Sequence, residues 1–192
     1  MANQNSVAAN EIKTMKKQGI SDATIDRVVR ERRDMVESEI YRFNGSLRKI
    51  EALKQYIDTE TEKMCSIGSP VLSDMPKGPH NPQAGENRLI NSIDKIIAWE
   101  RDINMEKGKN SRFEEAFNSL SDVGKILLKF TYSIYGEQML SPSEIVEKIG
   151  FSASHTRLLR RNAMDLLAFR LFGPVSATHP DIYNESEKAN KT

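Results

Sequence analysis

Apolar side chains return at every seventh position through Val29, Val36, Phe43, Ile50, Ile57 and Met64. A return of about seven residues spans two helical turns and keeps one stripe aligned. Between 22 and 65 there is no proline, and Gly45 is the only glycine, so the spacing predicts one long helix. The second seam position carries Ile40 and Leu47 but also Arg33, Lys54 and Thr61. Such half-regularity suits either a coiled-coil-like hairpin or dimer, or a single core stripe in a globular bundle. Phe43 is bulky for a tight two-stranded coil and favours the looser packing.

The flanking segments complete an all-α pattern. Residues 1–21 read as a basic N-terminal extension, a short helix from Glu11 to Gln18 with Lys13, Lys16 and Lys17, closed by Gly19 and expected to pack little. Ser21 and Asp22 then supply a cap and an early acid for the long helix. Residues 66–85 hold four of the seven prolines and three glycines, a connection in which no helix continues. From Glu86 to about Glu106 a second helix places Leu89, Ile93, Ile96, Ile97 and Ile103 on one side, with Trp99 beside it. It can fold back on the first, giving a long N-terminal helical hairpin over 22–106. Lys107-Gly108-Lys109-Asn110 reads as a second break.

Residues 107–172 predict a module of short helices. Phe113, Ala116, Phe117 and Leu120 share helical spacing, and Ser121-Asp122 caps a segment with Ile126, Leu127, Phe130 and Ile134. Ser141-Pro142-Ser143-Glu144 is a capping box with proline at the first helical position. The helix it opens carries Ile145, Val146 and Ile149 and stops at Gly150. Ser152 can cap a longer helix through Phe169. A short helix, a glycine turn and a longer helix over 142–169 form the spacing of a helix-turn-helix, whose second helix enters the major groove of DNA. Residues 173–192, with Pro174, Pro180 and a polar ending, are expected to form a flexible tail.

Charge sharpens that expectation. Overall, 28 basic residues face 27 acidic ones, so bulk charge announces no nucleic-acid partner. Locally it does: from Phe151 to Asn162 there is no acid, while His155, Arg157, Arg160 and Arg161 are present. Helical geometry turns Phe151, Leu159, Ala163, Leu166 and Leu167 inward, with Thr156 at the same interface. Ser152, Ala153, Ser154, Arg157 and Leu158 stand outward near the helix start and are the candidates for base edges. Arginine forks onto guanine, hydroxyls bond bases or phosphate, and apolar groups meet a thymine methyl. Ser143, Lys148, His155, Arg160 and Arg161 are the candidates for phosphate contacts.

Other chemistries find little support. Cys65 is the lone cysteine, and His80, His155 and His179 are scattered without metal-ligand spacing. The glycines build no phosphate-cradling loop, so neither catalysis nor a cofactor or metal is expected. The N-terminus lacks a signal-peptide pattern, and no window approaches the roughly 20 apolar residues of a membrane span. A cytoplasmic protein without a membrane partner is the expectation.

Several stretches resemble the region-four helix-turn-helix of sigma factors: Leu120-Ser-Asp, Leu127 to Tyr132, Ser143 to Ser152, and Arg157 to Ala163. More narrowly, the chain is similar to phage and prophage transcriptional activators of the ArpU type, to which the connection Ser69-Pro-Val-Leu-Ser-Asp-Met-Pro-Lys-Gly78 is the more distinctive likeness. The resemblance implies control of phage late or lytic genes through promoter-proximal double-stranded DNA, in a bacterial host cell, with host RNA polymerase as a further partner. Matched to the sigma-type pattern, the base-contacting positions are Ala153, Ser154, Arg157 and Leu158. The heptad implies a homodimer through the N-terminal helices, which would let two modules read two half-sites. A helical phage adaptor, or a small terminase-like DNA-packaging or assembly protein, would combine the same parts and stays open as the alternative.

Overall fold

The computed structural model describes residues 6–66, 82–180 and 182. They are all-α, with no strand among the described residues. The helices are α1 (Ser6–Lys17), α2 (Asp22–Ser66), α3 (Pro82–Asn118), α4 (Asp122–Tyr132), α5 (Pro142–Ile149), α6 (Ala153–Phe172) and α7 (Val175–Thr178). No described helix is long and apolar enough to cross a membrane.

α2 is the long uninterrupted helix that the heptad predicts. α3 departs from expectation, because it runs straight through Lys107-Gly108-Lys109-Asn110 and carries Phe113, Ala116 and Phe117 in its last turns. A mid-helix glycine costs only about 1 kcal/mol. Burial of Ile103 and Phe113 on either side, 7% and 0% exposed, outweighs that local weakness. The helix also begins at Pro82, which suits a first turn. Residues 67–81 of the Pro/Gly-rich connection, including His80, lie outside the described residues.

By internal contacts the chain forms two compact units, Met1–Asn44 with Ser111–Thr192, and Gly45–Asn110. The first unit is centred on aromatic rings. Phe43 stacks on Phe113 with centroids 4.4 Å apart, and the edge of Tyr135 meets Phe43 at 5.3 Å. Leu127, Leu128, Ile134 and Leu167 are buried in the same unit. α1 is no loose extension. Met15 is buried with Ile25, Val28, Val175 and Ile182, and the Glu11 carboxylate accepts from Arg32 at 3.3 Å and from the Val175 N–H at 3.0 Å. These contacts also correct the expected flexible tail over 173–180 and 182, where Arg32 further donates to the Gly173 carbonyl at 2.5 Å. The remaining tail residues lie outside the described set. Ile12, Met15 and Ile20 are too few to show a period by themselves, so only the partner surface reveals the packing.

In the second unit Ile50 and Leu53 of α2 meet Ile103 of α3, bordered by Ile57 and Trp99. Polar clusters flank this small core. Glu106 accepts from Lys49 (2.9 Å), Ser46 (2.9 Å) and Lys109 (3.1 Å), and Asn110 donates to Ser46 at 2.9 Å. These hydrogen bonds, that from Lys49 first, hold the Glu106 carboxyl down at about 2. Glu60 gathers Ser92, Lys63 and Lys95 in the same way. Spacing puts Leu89, Ile93 and Ile97 on the packing side of α3, yet they are 41%, 40% and 58% exposed. The heptad stripe instead works inside the chain: Val36 and Phe43 are buried in the first unit and Ile50 in the second.

Candidate nucleic-acid interface

Local sequence rules fix the two helices of the site. Ser141 accepts from the Glu144 N–H at 3.4 Å, while the Glu144 carboxylate accepts from the Ser141 N–H at 2.7 Å. This reciprocal capping box, with Pro142 in the first turn, starts α5. Hydrogen bonding to Ser141, its side chain first and then its backbone, holds the Glu144 carboxyl below the usual carboxylate range. Gly150 ends the helix in the left-handed region at φ 75°, its N–H donating to the Val146 carbonyl at 2.9 Å. Ser152 then accepts from the His155 N–H at 3.3 Å and caps α6.

α4 supports both. A Cβ on Gly124 would stand 3.3 Å from the Ala163 Cβ, so the missing side chain lets α4 approach α6 closely. Thr156, Ala163, Leu166 and Leu167 are buried as spacing predicts, Leu159 is half-buried, and Ile145 of α5 is buried too. Phe151 is the exception: it is 40% exposed, and its ring meets the His155 ring edge-on at 5.1 Å instead of entering the core. Its place beside the turn, where the chain changes direction, carries it off the inward face.

Most of the exposed positions of α6 lie in its first half. Ala153, Arg157 and Arg161 lie in one row at four-residue spacing, with Ser154 and Leu158 in the next, and all five are exposed. Beyond Asn162 the opposite situation holds, with Met164, Ala168 and Leu171 buried as well as Leu167. Ser143 and Ala153 border a groove of about 460 Å³ together with Arg157 and Arg160. Ser152 and Lys148 are exposed, the Lys148 ammonium standing 4.0 Å over the Phe130 ring. His155 is exposed but belongs with Phe151, apart from the arginine row. Arg160 is half-buried.

One residue of the site escapes any reading of the local sequence. Arg33, an odd charge on the α2 seam, donates from Nε and one terminal nitrogen to both oxygens of Asp165, each at 2.7 Å. Asp165 is the first acid after the arginine row, one turn beyond Arg161. The Arg33 fork neutralises it, so the positive potential of Arg157 and Arg161 is not offset by the next carboxylate on their own helix. Nearby, the Tyr132 hydroxyl donates to Glu37 at 2.5 Å, and burial foremost, then that hydrogen bond, drives its pKa well up. Asn44 donates to the Tyr132 carbonyl at 2.9 Å, tying the end of α4 to α2.

The chain matches no protein-family model, no curated protein and no solved structure.

Proposed function

We propose that the chain is a sequence-specific DNA-binding transcriptional regulator, an activator of phage late or lytic genes. α6 acts as its recognition helix in the major groove of double-stranded DNA. The observation that carries this reading is the open first half of α6, where Arg157 and Arg161 share a row and Asp165 is held by Arg33. Ser154, Ala153, Leu158 and Ser152 accompany Arg157 at base edges. Arg161, Arg160, Ser143 and Lys148 meet phosphates, with His155 at the margin. Host RNA polymerase is the further partner that the sigma-like pattern brings to this reading.

Retardation of duplexes from the promoter-proximal DNA of its own genome tests it. Arg157→Ala should weaken the best duplex by about 5- to 150-fold, the worth of one bidentate base contact. Unchanged binding would sink the site assignment. The second reading, a DNA-packaging or adaptor subunit, draws on the exposed Leu89, Ile90, Ile93 and Ile97 of α3, an apolar stripe suited to oligomers. A footprint at a packaging site rather than a promoter would favour it.

A further inference from the structure

The groove beside Arg157 has walls from three helices and a composition unlike a groove that serves DNA alone. Leu127 of α4 and Ile145 and Val146 of α5 supply apolar surface, and Thr156, Arg157 and Arg160 of α6 border it. Its volume of about 460 Å³ lies in the range of small-molecule sites. Thr156 is 7% exposed, and its Oγ1 has no hydrogen-bond partner among the described residues. Thr131, also bordering the groove, shows the usual alternative, donating to the carbonyl four residues back at 2.7 Å. A buried hydroxyl left unpaired is costly, and native structures seldom keep one without a protein, water or ligand partner. Neither Arg157 nor Arg160 has a carboxylate within ion-pair distance among the described residues.

The geometry points to a binding site for a small amphipathic carboxylate. Its apolar body lies along Leu127, Ile145 and Val146, its head meets the guanidinium groups of Arg157 and Arg160, and a polar atom satisfies Thr156. Apolar walls alone would take any hydrophobe; the two arginines without carboxylates select an anion. The site stands on these contacts whether or not α6 meets DNA.

Calorimetric titration of the full chain with decanoate, kept below its micellar range, tests the assignment, with decanol as the uncharged comparator. Saturable one-to-one binding of decanoate is expected, with Arg160→Gln weakening decanoate about tenfold and leaving decanol nearly unchanged. Ala153→Leu, at the rim, and Val146→Trp, in the wall, should each abolish binding. The rim variant guards against misfolding of the wall variant. Thr156→Val should weaken decanoate while raising the unfolding temperature of the empty protein, a gain expected only if that hydroxyl is unpaired. Equal affinity for decanol and decanoate, indifference to Arg160→Gln, or retained binding in a folded Ala153→Leu variant would overturn the proposal. So would an absence of saturable binding.

Discussion

Arg33 grips Asp165 with two parallel hydrogen bonds of 2.7 Å, and the two residues are 132 positions apart in the chain. The pair performs two tasks: it ties α2 to α6 and removes a negative charge from beside the arginine row. Its side chains are 30% and 15% exposed, so solvent screens part of the attraction. Arg33→Ala should therefore cost about 1 to 2 kcal/mol of stability. It should also weaken DNA binding severalfold, since a bare carboxylate would then stand one turn from Arg161. Arg33→Ala with Asp165→Asn should restore the affinity but not the stability. Denaturant unfolding and duplex retardation on the natural chain, the single variant and the double variant separate the effects. If affinity stays reduced in the double variant, the charge argument is wrong.

Much of this arrangement was legible in the sequence, and the illegible parts share a cause. Ser141, Glu144, Gly150 and Ser152 act on neighbours within four residues, so the capping box and the turn can be read locally. Arg33, Arg32 and Glu11 take their meaning from partners far along the chain. α1 is the same case, since Met15 is buried only because α2 and the segment after α6 supply a surface. Gly108 misleads in the other direction: its local weakness marks a break, and burial on either side overrides it. The α3 isoleucines mislead because spacing identifies a face without saying what covers it.

Salt should report how many phosphates the site engages. Each neutralised phosphate adds about 0.9 to the negative slope of log affinity against log salt. Arg161→Ala should reduce that slope by about one while weakening all duplexes alike, whereas Arg157→Ala should act mainly on the preferred duplex. Binding isotherms at several salt concentrations check both. An unchanged slope in Arg161→Ala would remove that residue from the phosphate set.

Acid should loosen the second unit through Glu106. Its carboxyl sits at about 2 in the folded chain against an ordinary 4.5. A lowered folded pKa contributes stability that is complete above the ordinary value and is lost as pH falls from there toward the folded value. Glu106→Gln should therefore be less stable than the natural chain at neutral pH, and the gap should close between about pH 4.5 and 2. Thermal unfolding followed by helical circular dichroism across that window provides the comparison. A gap independent of pH would mean that the loss comes from packing rather than from ionisation.

Dimerisation, which the heptad first raised, is better sought on α3. The heptad stripe is occupied within each unit, whereas Leu89, Ile90, Ile93 and Ile97 are 41%, 54%, 40% and 58% exposed at spacings of three and four. A second copy presenting the same stripe would cover it by two-fold symmetry, and paired recognition helices would then read two half-sites. Sedimentation velocity should show a concentration-dependent dimer that Ile93→Glu converts to a monomer. Because Ile93 is 40% exposed in the single chain, the substitution should change the stability of the monomer by no more than about 0.5 kcal/mol. The monomeric variant should bind a single half-site as before and lose only the added affinity for paired sites. A natural chain that stays monomeric at every concentration, on DNA as well as free, would remove the α3 stripe as a dimer surface and leave one recognition helix to act alone.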